Sequence, residues 1–176
     1  GQGKSDVTSL PLHWSETENV AWKVPIEGEG WSSPVVAAGR IYLTMAVPLG
    51  AGTDNAGSDK SRSLRVICLD AKDGGSLWDR ELFQQSGEGI QIHKKNSHAS
   101  ATPILDGGRL FVHFGPAGTA CLTTGGEVVW KTTELKFSPV HGNGGSPVLY
   151  RDKQRGDTLI VTCDGADKQF VAGISA

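Results

Sequence analysis

The chain has no apolar run near the roughly 18–20 residues that a membrane helix needs, which excludes a helical span in this segment. It also lacks a basic excess. Its 17 Lys and Arg stand against 19 Asp and Glu, a formal charge of −2, so no positive field draws it to nucleic acid or an anionic membrane. Cysteine is scarce and odd in number: Cys68, Cys121 and Cys163 show no Cys-x-x-Cys spacing and read as small buried hydrophobes in β-type runs, not as a disulfide or metal framework. The strings Gly-x-Ser-x-Gly, Gly-Lys-Ser/Thr and His-Glu-x-x-His are absent, which removes the motif grounds for a hydrolase, a nucleotide enzyme or a zinc protease. No stretch of about ten residues carries a 3.6-residue apolar period, so helices have no sequence support.

Glycine is abundant. There are 24 in 176 residues, about twice the usual share of roughly 7%, beside a hydrophobic content of 38% that argues against disorder. Many short strands joined by glycine turns produce that mixture. Three tryptophans close near-copies of one phrase. Trp78 ends Asp70-Ala-Lys-Asp-Gly-Gly-Ser-Leu-Trp78, Trp130 ends Thr123-Thr-Gly-Gly-Glu-Val-Val-Trp130, and Trp22 sits in the shorter Asn19-Val-Ala-Trp22-Lys. The spacings of 56 and 52 residues mark one structural unit repeated with loops of variable length.

Each unit reads as four strands, A to D. Ser33-Pro-Val-Val opens the first, followed by 40–47, 64–69 and 76–82; the second runs 102–105, 109–113, 119–122 and 127–130. The third supplies 146–150, 158–162 and a strand around 170–174. Short, β-branched or aromatic runs punctuated by Gly, Asp and Asn are the grammar of strands and hairpins. A four-stranded antiparallel meander of this length leaves both its faces apolar, so neighbours must stack on it. The expected fold class is therefore all-β, a partial β-propeller of four-stranded antiparallel blades.

We expect one domain over residues 1–176. Residues 1–31 would form an N-terminal segment with a ring-closing strand at 19–23, residues 32–82 and 101–135 two blades, and residues 146–176 an incomplete blade. The chain starts at Gly1 and stops at Ala176 where the repeat asks for another turn and tryptophan, so it reads as an arc of a longer array. Trp22, Trp78 and Trp130 are expected as wedges between sheets, because a large flat side chain buries much apolar area there. His13 and Trp14 are expected to pack against or cap the N-terminal segment.

Asp70-Ala71…Gly74…Trp78, with Ser/Thr-Pro-Val/Ile opening each unit and Gly-x-Arg-Ile/Leu-Tyr/Phe in the second strand, resembles the pyrroloquinoline-quinone-like (quinoprotein-type) β-propeller repeat family. Residues 123–130 depart from it by lacking the Asp-Ala pair. The resemblance runs from about Val20 to the end and implies about three blades of a seven- or eight-bladed ring, in a periplasmic or extracellular protein. It implies little about activity, since the family holds quinone-dependent dehydrogenases as well as scaffold and sensor proteins.

In such a meander the D-to-A and B-to-C connections leave on one rim. The long loops are there: 48–63, 83–100 and 136–145, with shorter turns at 114–118 and 164–169. Long loops on a rigid scaffold are where binding sits. The candidate binding face is His93, Lys95, Asn96, His98, His113, His141, Asn143, Asp164 and Asp167. Each has a plainer reading. His93-Lys-Lys-Asn-Ser-His98 suits a solvated, capped loop better than a metal pair or an anion patch. His141-Gly-Asn-Gly-Gly145 could cradle a phosphate but suits a turn. Asp164 and Asp167 lack the spacing of a calcium loop. Residues 54–59, Asp-Asn-Ala-Gly-Ser-Asp, read as a flexible Gly/Ser-rich tip.

The leading expectation is a non-catalytic binding or scaffold module that presents this rim to a protein, a glycan or a small molecule, with no catalytic, metal or cofactor residue assigned. The alternative, from the resemblance, is a quinone- and calcium-dependent alcohol or sugar dehydrogenase. The family's dehydrogenases often carry an adjacent Cys-Cys pair, and this chain has none.

Overall fold

The computed structural model describes residues 6–49, 61–86 and 92–176; the 54–59 tip lies outside them. Three antiparallel sheets follow one another along the chain, the architecture of a partial β-propeller. The first is β1 (Val35–Ala37), β2 (Arg40–Pro48), β3 (Arg62–Asp70) and β4 (Ser76–Gln85), in that spatial order. The second is β5 (Ile104–Asp106), β6 (Arg109–His113), β7 (Thr119–Thr123) and β8 (Val128–Thr132), again in sequence order. The third holds β9 (Val148–Tyr150), β10 (Thr158–Asp164) and β11 (Gln169–Ser175), with β10 in the middle.

Period-two alternation decides which residues meet across the sheets. Leu110 and Val112 of β6 turn to the first sheet and share one core with Tyr42, Leu64, Val66 and Leu82. Phe111, between them, turns the other way and packs with Cys121 and Leu159 against the third sheet. A middle sheet buried on both faces explains why β6 reads as a nearly continuous apolar run. Cys68, Cys121 and Cys163 are all free and buried, one in each sheet.

Two of the three repeat tryptophans make the same bond, while Trp130 Nε1 is buried without a partner among the described residues. Trp78 Nε1 donates to the carbonyl of Thr124 in the next sheet's β7–β8 turn at 3.1 Å, and Trp22 Nε1 donates to Ala71 in the β3–β4 turn, also at 3.1 Å. The register slips at matching places, between Cys68 and Leu69 and between Cys121 and Leu122. The extra residues at these bulges, Leu77 and Val129, aim each indole at its neighbour. Trp78 then lies over Gly126, where φ is +87° and an added Cβ would sit 2.9 Å from the indole; Gly74 has the same relation to Trp22, with φ +76° and 2.6 Å. Only glycine fits both the backbone and the space.

A second bond recurs at the strand A openings. Ser33 N donates to Thr102 Oγ1 at 3.1 Å, and Thr102 N donates to Ser146 Oγ at 2.9 Å. The Ser/Thr-Pro openings thus link each sheet to the next.

The N-terminal segment departs from expectation. Residues 19–23 form no strand, because no sheet edge among the described residues offers them a ladder; Trp22 nevertheless docks as a strand D indole does. Val24 adds to the cover over Met45, Ile67 and Leu69. Trp14 is 61% exposed and does not pack, although His13 accepts through its carbonyl a 2.8 Å bond from Asn19 Nδ2.

Candidate functional site

The two rims differ in what their polar backbone does. On the tight-turn rim the carbonyls are occupied by the neighbouring sheet: Thr124 O accepts from Trp78 and from Arg40 Nη1 at 3.0 Å, and Gly126 O accepts from Arg80 Nε at 3.1 Å. A hollow of about 580 Å³ beside Arg40 and Thr124 lies among these bonds. The long-loop rim also carries bonds between sheets, at the Ser33, Thr102 and Ser146 openings, but there the connections bind one another as well and leave a larger opening.

That rim is built by three interlocking pieces. His93 N donates to His141 O at 3.3 Å and Asn96 Nδ2 to the same oxygen at 2.9 Å; the His93 and His141 rings meet edge to face at 5.2 Å. Asn96 Oδ1 in turn accepts from Ser97 N at 2.9 Å and from Ser100 Oγ at 2.6 Å, which fixes the turn into the second sheet. Asp167 Oδ1 accepts from Ser138 N at 2.7 Å, and that bond holds its carboxyl below the usual range. Gly142 has φ +86° and leaves room for Ile92 and Asn96, where a Cβ would lie 2.7 Å from Ile92 Cδ1. The Gly-rich 141–145 stretch is therefore a joint between loops.

The candidates separate accordingly. His93, Asn96 and His141 come together, whereas Asn143 lies beside Gly115 and lines the cleft, its buried Nδ2 without a partner among the described residues. Lys95 is exposed, its backbone N–H donating to His93 Nδ1 at 3.1 Å. His98 lines the cleft described below, with Nδ1 at 2.6 Å from Gln85 Oε1, and burial, followed by the Arg62 charge, lowers its pKa. Asp164 is exposed at the end of β10, paired with Gln169. His113 does not belong to the face: it is 2% exposed, with Nδ1 at 2.9 Å from Thr119 Oγ1 and no partner on Nε2. Its position at the end of β6 alternates it into the core, and burial lowers its pKa to about 4.

The opening is a cleft of about 750 Å³ between the end of β4, the Phe114–Ala117 turn and residues 136–143. Phe83, Phe114 and Phe137 form its apolar side, Phe83 and Phe114 edge to face at 6.1 Å. Lys131 Nζ donates to Leu82 O at 3.1 Å and lies 5.6 Å from the Phe83 ring centre. Lys136 Nζ donates to Pro116 O at 3.4 Å. Sequence reasoning passed over these residues, although Phe83 and Phe137 were legible as aromatics inside polar loops.

Calcium with pyrroloquinoline quinone would need converging carboxylate and amide ligands and, in the dehydrogenase pattern, paired cysteines. No three His, Cys, Asp or Glu side chains converge among the described residues, and the three cysteines lie in separate sheets. Among the described residues no helix is long and apolar enough to cross a membrane.

The comparisons bear on family and fold. A family profile described as outer membrane protein assembly factor BamB, of the PQQ-like repeat type, matches residues 62–170. The crystal structure of BamB from Moraxella catarrhalis aligns with 89% of this chain at 13% identity and a TM-score of 0.48. The chain spans 44% of the length of that relative. No curated protein matches the sequence.

Proposed function

From a chain that belongs to the BamB-like family of PQQ-type β-propeller repeat proteins, we propose a non-catalytic binding or scaffold module whose working surface is the long-loop rim. The observation that carries this reading is the contrast between the rims. Turn carbonyls on one side hold neighbouring sheets together, whereas the loops on the other are braced by His93, Asn96 and His141 around an open cleft. Bracing lowers the entropy lost when a partner docks. A protein, a glycan or a small molecule is the class of partner we assign to it. The family description, an outer membrane assembly factor, supports a periplasmic or extracellular setting.

The test is a fragment screen by two-dimensional amide NMR on the isotope-labelled chain. Shifts clustering on residues 82–86, 92–100, 114–118 and 136–145 are expected. Clustering on the tight-turn rim, or no perturbed residue with any fragment, contradicts the proposal.

A further inference from the structure

The cleft's own chemistry points to a ligand class, and this inference rests on the rim being the binding surface. We propose that the cleft takes an organic monocarboxylate carrying an aromatic or aliphatic body. The apolar half is supplied by Phe83, Phe114 and Phe137, which are 7%, 3% and 6% exposed and bound the opening. A volume of about 750 Å³ is in the range of small-molecule sites.

The charged half is supplied by Lys131 and Lys136. Neither ammonium makes a salt bridge among the described residues, and each donates one hydrogen bond, to a backbone carbonyl of the wall. An ammonium has three donors, so each keeps capacity for an anionic oxygen. Glu81 also lines the cleft and lies within range of Lys131, yet its carboxylate is engaged by Ser63 Oγ, by Gln84 Nε2 at 2.9 Å and by Arg65 at 3.7 Å. Although Glu81 bridges neither lysine, the charged side chains that line the cleft, Lys131, Lys136 and Glu81, sum to one positive charge, which suits a monoanion. A dianionic phosphate would exceed that balance, and a neutral body would strip water from the ammoniums without replacing its hydrogen bonds.

Free organic acids and peptide C-termini share this chemistry, and the test separates them. The full chain is titrated with 4-phenylbutyrate, its primary amide, N-acetyl-leucine and acetate, with amide shifts read at residues 82–85 and 114–117. A carboxylate with an apolar body should bind about tenfold more tightly than the amide, the size of one charge-assisted hydrogen bond. Acetate should leave the cleft unperturbed. Lys131→Met and Lys136→Met should each weaken the acid while leaving amide binding unchanged, and salt should weaken the acid alone. Preference for phenylbutyrate assigns a free acid, and preference for N-acetyl-leucine a chain terminus; both support the shared chemistry. Equal binding of acid and amide by the unmodified chain overturns the carboxylate assignment while leaving rim binding intact, and needs no variant to fold. Silence of the whole rim toward every fragment overturns both.

Discussion

His113 occupies in the second sheet the register position that threonine holds in its neighbours, Thr44 in the first and Thr162 in the third. An imidazole placed there is enclosed, its Nδ1 satisfied by Thr119 and its Nε2 without a partner. Burial lowers the folded-state pKa to about 4, against 6.5 for the free side chain. Between those values the unfolded chain binds the proton and the folded one does not, so stability is lost as pH falls from 6.5 toward 4. Each pH unit inside that window is worth about 1.36 kcal/mol, so lowering the pH from 7 to 5 should cost about 2 kcal/mol through this residue. His113→Gln keeps a polar group for Thr119 and should remove that part of the acid loss in urea unfolding at the two pH values. An unchanged pH slope would show that the ring is solvated. This residue was misassigned to the binding face because a histidine at the junction of strand and loop carries no mark of which way alternation turns it.

At the scale of the element, the β7–β8 turn joins two requirements at Gly126. Its φ is +87°, and the Trp78 indole occupies the space a Cβ would take. Gly107, in the β5–β6 turn, has φ +53° and nothing within 4 Å. Gly107→Ala should therefore cost about 1 kcal/mol, the backbone term alone, and Gly126→Ala about 2–3 kcal/mol, since displacement of the indole is added. Denaturant unfolding of the two variants measures the difference, and equal losses would mean that Trp78 does not rest on that turn. The strands around these turns were readable from Gly, Asp and β-branched punctuation, and the tryptophan phrase marked the unit. The bulges at Leu77 and Val129 were not, because a one-residue slip leaves the apolar pattern almost unaltered. The strand expected at 19–23 failed for a related reason: its sequence copies a strand D, but a strand needs a partner edge, which sequence does not display.

Across the whole molecule, the architecture was legible and the site only in part, since His98 and Asn143 of the expected rim line the cleft beside phenylalanines and lysines that sequence reasoning did not single out. Repeated Trp, Ser/Thr-Pro and glycine-turn signals described stacked sheets, since a repeat reports what every unit must do to bury its faces. The cleft depends on what is not repeated. Phe83 comes from β4, Lys131 from β8, and Lys136 and Phe137 from the loop after β8, and only the stacking of the sheets brings them together. The links between sheets are therefore the central claim, and indole hydrogen exchange followed by NMR tests them most directly. Trp78 donates across sheets to Thr124 and Trp22 from the N-terminal segment to Ala71 of the first sheet, whereas Trp14 and Trp31 are 61% and 54% exposed. The Nε1–H signals of Trp22 and Trp78 should persist in deuterium oxide long after those of Trp14 and Trp31 have vanished. Loss of all four at a common rate would contradict sheets held together through their tryptophans.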